Sequence, residues 1–298
     1  MAMPEVKVSA DNPSLAIIVP TFNRPDKLAR CLGYLAKLDG GPYRTIIVDD
    51  GSPQDLASIC DEYDWVALVK QDNAGPGAAR NTGASMAEGA ELLVFTDDDC
   101  RPRSDWVQRL IAAQGRKPRL LVGGCVENAL PNNVFSSASQ SLCSFLYDYY
   151  HSHGSEMTFF TTNNMICRRE DFLALGGFDT AFAIASEDRD FSLRWKSEGG
   201  SLAYEPDAVI DHAHDLSLAS FWKQHRNYGK GARKLHTTMD RREDDRPKIE
   251  NFGFYFGMLT YPLRARLRRP LTQAFLVGLS QVAMVAGYAE AVREERRA

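Results

Sequence analysis

Four short apolar segments alternate with helical patterns through the first hundred or so residues. The apolar segments cover residues 15–20, 45–48, 65–70 and 92–96, and the helical patterns cover 26–38, 75–87 and 104–113. Strands that alternate with helices at this spacing build a largely parallel sheet, which helices cover on both faces. Ligands bind such sheets at the carboxyl ends of the strands. The pattern therefore predicts an α/β fold whose site lies along that edge.

Three consecutive carboxylates follow the fourth apolar segment directly, and they are Asp97, Asp98 and Asp99. Carboxylates repel one another and form strands poorly, so their position has a cost. Alternate carboxylates at a strand end can hold one hard divalent cation, and the cation can hold a diphosphate. A solvated acidic strand end without a ligand is the alternative. This segment alone leaves both interpretations open.

Polar residues also follow the first two apolar segments. Thr21 and Asn23 come after the first segment, and Asp49 and Asp50 come after the second. The two carboxylates can accept hydrogen bonds from a base N–H or from a ribose hydroxyl. A turn at Asn23 and a helix capped by Ser52 are the alternatives that the residues leave open.

A glycine-rich segment, residues 73–81, opens the second of these helical patterns. It resembles a dinucleotide fingerprint but fails it, because Arg80 stands where the third glycine would be. Hydride transfer is therefore disfavoured. Arg80 can meet carboxylate or phosphate oxygens, and a surface ion pair is the alternative.

Charge and cysteine usage narrow the class of protein. The net charge of −4, with no dense basic stretch in the first two hundred residues, gives no reason to expect a nucleic-acid partner. The six cysteines are scattered singly, which fits reduced thiols better than disulfides or a zinc site. Residues 1–13 are polar and show no secretory signal. We therefore expect a cytoplasmic protein.

Six motifs together resemble the family 2 glycosyltransferases, inverting enzymes of the GT-A fold that use nucleotide-activated sugars. They lie in the expected order at residues 19–23, 48–52, 77–81, 97–99, 176–179 and 187–190. The resemblance implies a Rossmann-like GT-A fold with a mixed, mostly parallel sheet. The expected domains are a polar N-terminal segment at 1–13, a catalytic domain at 14–215 and a helical C-terminal extension at 216–298. The nucleotide-sugar half would cover about 14–100 and the acceptor half about 101–215.

The resemblance also implies roles for individual residues on the donor side. The expected donor-binding residues are Thr21, Asn23, Asp49, Asp50, Arg80 and Asp98. Asp97 and Asp99 would be the two ends of a D-x-D motif that binds Mg²⁺ or Mn²⁺. Relatives often add a histidine ligand downstream, and we favour His212 over His214 for that place. A histidine with a purely structural role is the alternative.

Glu187 and Asp188 look like the family's acidic pair. Inversion needs a carboxylate opposite the leaving diphosphate, where it takes the proton of the acceptor hydroxyl. We assign that role to Asp188 and an acceptor-positioning role to Glu187. Two acidic residues also stabilise the start of a helix, and both interpretations can hold together.

The expected reaction moves one sugar from a nucleotide-sugar donor to a hydroxyl of a saccharide, a lipid-linked molecule or another acceptor. A membrane-bound processive polysaccharide synthase is one alternative, and a non-catalytic sugar-nucleotide-binding protein is another. Processive synthases carry a Q-x-x-R-W pattern. This chain departs from that pattern, because only one residue separates Gln224 from Arg226 and no tryptophan follows. The departure argues against a processive synthase.

The nearly apolar stretch at residues 271–289 predicts a C-terminal helix. We favour a helix packed on the catalytic domain. An interfacial helix on an anionic membrane follows closely, and it would place the protein at the inner face of the membrane. A transmembrane span is the least favoured of the three, because the stretch is near the lower length limit of about 20 residues.

Overall fold

The computed structural model describes residues 14–152, 157–242 and 250–297. The strands are β1 Leu15–Thr21, β2 Thr45–Asp49, β3 Val66–Lys70, β4 Leu92–Phe95, β5 Cys100–Pro102, β6 Leu120–Asn128, β7 Met165–Arg168 and β8 Ser201–His212. The helices are α1 Pro25–Leu35, α2 Ala57–Cys60, α3 Pro76–Met86, α4 Trp106–Gln114, α5 Val134–Ser152, α6 Arg169–Ala174, α7 Glu187–Ser197, α8 Leu218–Arg242, α9 Phe252–Arg264 and α10 Pro270–Glu295.

The chain divides into two compact units. The sheet unit contains the described residues 14–127, 157–183 and 187–213, and the helical unit contains 128–152, 184–186, 214–242 and 250–297. The helical unit thus includes α5 in addition to the C-terminal helices. The domain limits expected from the sequence stay a prediction.

The sheet unit is built on one eight-stranded mixed sheet of order β3-β2-β1-β4-β7-β6-β8-β5. The first four strands in the chain are parallel neighbours, as the alternating pattern predicted. Later strands pair antiparallel, β7 with β4 and β6, and β5 with β8. The α/β class and the mixed sheet are therefore confirmed.

The parallel strands are apolar because both of their faces are covered. Every residue of β1, β2 and β4 is buried. Side chains of α1 pack against them in one core, with Leu28, Cys31, Leu32 and Leu35 fully enclosed. This burial holds the carboxyl ends of β1, β2 and β4 in place, where the polar motifs begin.

One local prediction, the helix cap at Ser52, differs from the structure. Ser52 does not cap a helix, because α2 begins only at Ala57. The Ser52 N–H instead donates to Asp49 Oδ1 at 2.9 Å, and its hydroxyl accepts from the N–H of Asn23 at 2.8 Å. Residues 161–164 form a turn that leads directly into β7.

In the helical unit, α10 packs closely along α8. A Cβ atom at Gly229 would collide with the carbonyl of Met284, and one at Gly287 would collide with the carbonyl of Arg226. Ion pairs line the same contact, with Arg226 bidentate to Glu290 at 2.6 Å for both bonds. The helical C-terminal extension is therefore confirmed. Arg226 is thus held by Glu290 within the helical unit.

One helix among the described residues, α10, is long and apolar enough to cross a membrane by length and composition. Part of its surface is buried against α8, and part is exposed. The core helix of a soluble protein passes the same test, so length and composition alone do not choose between the alternatives.

Candidate active site

The carboxyl ends of β1, β2 and β4 lie side by side and bring the predicted polar residues to one edge. Thr21 pairs in register with Asp49, and its hydroxyl donates to Asp98 Oδ2 at 2.7 Å. Both side chains of that hydrogen bond are buried. The structure thus brings Thr21, Asp49 and the acidic run together at the edge where α/β sheets bind ligands.

A strand pairing brings His212 to the same place. β5 and β8 are antiparallel, with Cys100 opposite His212. His212 Nε2 consequently lies 3.1 Å from Asp99 Oδ1, and the N–H of Ala213 donates to the Asp99 carbonyl at 2.8 Å. His214, the other candidate, belongs to the helical unit.

Two cations at the start of α1 neutralise the acidic run. Arg24 lies 3.0 Å from Asp98 Oδ1 and 3.3 Å from Asp99 Oδ2, and Lys27 Nζ lies 3.1 Å from the same Asp99 oxygen. Burial alone would raise the pKa of Asp99, but His212, Lys27 and Arg24 together hold it well below its usual range. Burial dominates at Asp98 and raises its pKa to about 7.

The residues at this edge fit a hard divalent cation. Asp99, Cys100 and His212 offer ligand atoms within 4.8 Å of one another. Asp99 stays ionised, as a metal ligand must, and a carboxylate with an imidazole suits a divalent ion. Burial keeps the pKa of the Cys100 thiol well above its usual value, so this soft group is a poor ligand here. Asp97 is not in that cluster.

Arg80 on α3 connects the acidic run to the acidic pair. Its guanidinium lies 2.6 Å from Asp97 Oδ1 and 3.3 Å from Glu187 Oε1, and it is almost fully buried. Burial would lower the pKa of Arg80, but the charges of Asp97 and Glu187 raise it overall. The interpretation of Arg80 as a surface ion pair is therefore wrong.

Glu187 and Asp188 begin α7, as the helical interpretation of this pair predicted. Burial is the main reason that the pKa values of both carboxyls are raised, and their mutual repulsion raises the pKa of Glu187 further. Asp188 Oδ1 accepts from the N–H of Arg189 at 2.8 Å. Asp188 as a residue is only partly buried.

The G-G-F-D motif positions α3 relative to the acidic pair. The Asn81 side chain donates to the Phe178 carbonyl and accepts from the Phe178 N–H, both at 2.8 Å. Gly177 has φ of +68°, and a Cβ there would approach Asn81 Oδ1. Only glycine fits this position without strain.

Some predicted residues serve the fold of the site. Asp50 Oδ1 accepts from Gln71 Nε2 and the N–H of Ala74, and Oδ2 accepts from the N–H of Gly75 at 2.8 Å. Asp50 thereby fixes the loop that leads into α3. Asn164 likewise accepts from Trp106 Nε1 at 2.8 Å and anchors the buried polar turn at residues 161–164.

Three residues near the edge were missed in the sequence. Arg24 and Lys27 bind the acidic run, and Phe22 exposes 45% of its surface directly after β1. A signal existed for the two cations, because residues three apart at a helix start share one side. No periodic pattern in the sequence predicts that the ring of Phe22 is exposed.

Comparison with known proteins identifies the class. A family model, glycosyl transferase family 2, matches residues 16–176, which is more than half of the 298 residues. The chain therefore belongs to this family and is a glycosyltransferase, as the ordered motifs predicted.

Similar proteins that have a name are also glycosyltransferases. The glycosyltransferase AglE of Haloferax volcanii is 27% identical over 207 residues, which are 67% of this chain and 67% of that protein. The pre-mycofactocin glycosyltransferase of Mycobacterium tuberculosis is 27% identical over 242 residues, or 79% of this chain. The match spans 50% of the mycobacterial protein.

Solved structures show the same fold. The mannosyltransferase PcManGT from Pyrobaculum calidifontis, solved with GDP-Man and Mn²⁺, matches 95% of this chain and 88% of its own with a TM-score of 0.64 at 16% identity. GalNAc-T7, solved with UDP, GalNAc and Mn²⁺, matches 87% of this chain and 59% of its own with a TM-score of 0.56 at 14% identity. The predicted GT-A fold is confirmed.

Proposed function

We propose that this chain transfers one sugar from a nucleotide-sugar donor to an acceptor hydroxyl, with inversion and with the help of a divalent cation. The observation that carries the proposal is the buried Arg80 guanidinium, which contacts both Asp97 and Glu187. One side chain thus joins the acidic run and the acidic pair into one site. Inverting transfer needs both, one near the leaving diphosphate and one beside the acceptor hydroxyl.

The nucleoside of the donor would lie at the ends of β1 and β2. Asp49 Oδ1 is taken by Ser52, but Oδ2 has no hydrogen-bond partner among the described residues and can accept from a base N–H. The exposed Phe22 ring offers an apolar surface on which a base can stack. Thr21, Asn23 and Asp98 complete this side, while Asp50 and Arg80 support it from the loop and from α3.

Asp99 and His212 would hold Mg²⁺ or Mn²⁺, with Asp97 as the further ligand that the D-x-D motif predicts. When bound, the cation supplies positive charge that stabilises the departing diphosphate. Arg24 and Lys27 already lie within 3.3 Å of Asp99 and offer further N–H donors to phosphate oxygens. The Mn²⁺ in the PcManGT and GalNAc-T7 structures supports this choice of cation.

Asp188 would act as the general base. Its raised pKa makes the carboxylate a better proton acceptor at neutral pH than an ordinary aspartate. Glu187, fixed by Arg80, would position the acceptor. The acceptor would carry a free hydroxyl on a saccharide, a lipid-linked molecule or another compound. A cytoplasmic location belongs to this proposal, and the six cysteines, none in a disulfide, support it.

A binding screen followed by a product assay tests the proposal. UDP-, GDP-, dTDP- and CDP-sugars are compared by thermal shift in Mn²⁺, Mg²⁺ or EDTA, because a ligand of the folded state raises the melting temperature. We expect one nucleotide class to stabilise the protein only with the cation. The same donor should then release nucleoside diphosphate with an acceptor, and the product should have the inverted anomeric configuration by NMR.

Two variants sharpen that screen. Asp99→Asn should remove the cation-dependent shift, whereas Asp26→Asn, which changes an exposed carboxylate on α1, should keep it. An equal shift in EDTA would disprove the metal assignment. Product with the donor's own configuration would disprove inversion, and tight donor binding without turnover would favour the non-catalytic alternative.

A further inference from the structure

Helix α9 of the helical unit presents large apolar side chains to the exterior. Exposed residues recur along it at spacings of three and four, which places them on one helix face, at Phe252, Tyr255, Phe256, Leu259 and Leu263. Phe252 alone exposes 83% of its surface. The opposite face packs Phe254 and Met258 against Phe145 of α5. The exposed face is therefore left over after α9 has packed.

Helix α10 has a second exposed apolar row. Leu271 and Phe275 expose 74% and 70% of their surfaces, and Val282 and Val285 continue the row. The buried side of the helix carries other residues, including Leu276, Val277, Ser280, Ala283 and Gly287. Packing of α10 on α8 thus uses one side only. One-sided packing on α8 leaves room for the interfacial helix that the sequence offered as an alternative.

The two rows adjoin. A Cβ atom at Gly278 would lie 3.7 Å from Leu259 Cδ2, so α9 and α10 touch at this point. Gly278 sits between Phe275 and Val282 on its helix, and Leu259 is itself exposed. We call the nine exposed residues of both rows the α9–α10 apolar face.

Four arginines cluster where the two helices join. Arg264, Arg266, Arg268 and Arg269 are all exposed. Within residues 14–152, 157–242 and 250–297 none of them forms an ion pair, although Arg264 donates to the Gly257 carbonyl and Arg268 to Asn132. No Asp or Glu occurs between residues 251 and 289. The junction of α9 and α10 therefore carries positive charge only, and the nearby acidic residues are Glu250, which precedes α9, and Asp148, which accepts from the Tyr261 hydroxyl.

We propose that the α9–α10 apolar face docks on an anionic phospholipid bilayer. Its aromatic and aliphatic side chains would enter the headgroup region, while the four arginines bind lipid phosphates. Charge complementarity favours this occupant, because a second copy that paired through the same face would set one arginine cluster against the other. A transmembrane position for α10 would require its contact with α8 to open, including the ion pair between Arg226 and Glu290.

Vesicle flotation of the full-length chain tests the proposal without any activity measurement. We expect flotation with phosphatidylcholine vesicles that contain phosphatidylglycerol, and little with pure phosphatidylcholine. Arg266→Gln combined with Arg269→Gln should lower the partition coefficient roughly tenfold to thirtyfold. The matched control, Arg30→Gln with Lys37→Gln, has the same net charge but changes exposed cations of the sheet unit, and it should float like the wild type.

The apolar contribution has its own pair of variants. Phe252→Ser with Phe275→Ser should lower partitioning by at least about tenfold, whereas Met86→Ser with Leu173→Ser, exposed residues of the sheet unit, should not. Circular dichroism and melting temperature show that each variant is folded. Flotation should also fade as salt is raised, because screening weakens the arginine contacts.

Three results would overturn the proposal. Equal flotation with both vesicle types, or none with either, would remove the anionic bilayer as the occupant. Retention in the bilayer after alkaline carbonate washing would indicate a transmembrane α10. A dimer in analytical ultracentrifugation that Phe252→Ser with Phe275→Ser dissociates, without flotation of the wild type, would assign the face to a second copy.

Discussion

The two units use charged and apolar residues in opposite ways. The sheet unit buries charged groups at its strand ends, among them Arg80 and Asp98, and encloses most of its apolar residues in a large core. The helical unit keeps ion pairs such as Arg226–Glu290 at its surface and exposes a row of large apolar side chains. The sheet unit thus departs from the rule that charged groups stay at the surface, and the helical unit from the rule that large apolar side chains are buried.

The difference indicates where function lies in each unit. Buried charges cost several kcal/mol each in desolvation, even when they are paired, so stability does not explain the acidic site. The proposed transfer reaction, which needs these charges together, does explain it. Exposed apolar side chains on neighbouring helices cost solubility, and a docking surface explains them best. The surface ion pairs of the helical unit need no functional role.

The largest effect should follow from Asp188→Asn, which removes the proposed base and keeps its shape. Turnover should fall by roughly two to four orders of magnitude, while donor affinity stays nearly unchanged. Initial rates and thermal-shift titration of the donor measure the two quantities separately.

The matched control is Glu198→Gln, an exposed carboxylate one residue beyond the end of α7, and it should keep full turnover. If donor affinity collapsed in Asp188→Asn while turnover per bound donor survived, Asp188 would belong to the nucleotide site.

Arg80→Met tests the buried charge of the sheet unit directly. It leaves Asp97 and Glu187 without their shared partner, so the free energy of unfolding should fall by about 3–5 kcal/mol. Chemical denaturation measures the change. Arg103→Met is the control, because Arg103 also binds a carboxylate, Glu127 at 2.7 Å, but both side chains are half exposed. That variant should lose less than about 1 kcal/mol, and equal losses would contradict the contrast between buried and surface pairs.

The sequence predicts the parallel half of the sheet and little of the antiparallel half. Local periodicity marks β1 to β4 because each strand is an apolar run that a helix follows. β5 has only three residues, and the pairing of β5 with β8 joins positions more than a hundred residues apart. No local pattern encodes that register. The resemblance to the family pointed to His212, but its position beside Asp99 depends on this pairing.

The motifs similarly predict which residues form the site but not all of their contacts. Asp97, Glu187 and Arg80 each lie in a recognisable motif, yet their mutual contacts follow from how α3 and α7 meet in space. The exposed face of α9 and α10 shows the same limit. Composition marks an apolar helix, but only packing decides which of its sides stays uncovered.

A buried histidine of the helical unit should make stability depend on pH. His225 is buried beside Phe221, and neither ring nitrogen has a hydrogen-bond partner in the described part of the chain. Burial, with a smaller effect of His214, lowers its pKa to about 4. The unfolded chain takes up this proton near pH 6.5 and the folded chain only near pH 4. Stability should therefore fall by up to about 3 kcal/mol as the pH drops through this range.

His225→Phe removes the titrating group and keeps the aromatic contact with Phe221. Its unfolding free energy, measured from pH 8 to pH 4, should lack the part of the acid-side decline that the wild type owes to His225. The two proteins should be most similar at pH 8, where the histidine is neutral in both states. Parallel pH curves for the two proteins would show that His225 is not responsible.

The smallest effects should come from two glycines of α10 that differ only in what faces them. Alanine is favoured over glycine inside a helix by about 1 kcal/mol. At Gly278 the added methyl group would make ordinary contact with Leu259, so Gly278→Ala should stabilise the chain by about 0.5–1 kcal/mol. At Gly287 it would collide with the carbonyl of Arg226, so Gly287→Ala should destabilise the chain by about 1–3 kcal/mol.

Thermal unfolding of both variants gives the sign of each change in stability. Opposite signs mean that close backbone packing on α8 holds one side of α10 and leaves the other side available, whereas a stabilising Gly287→Ala would show that the two helices do not meet there.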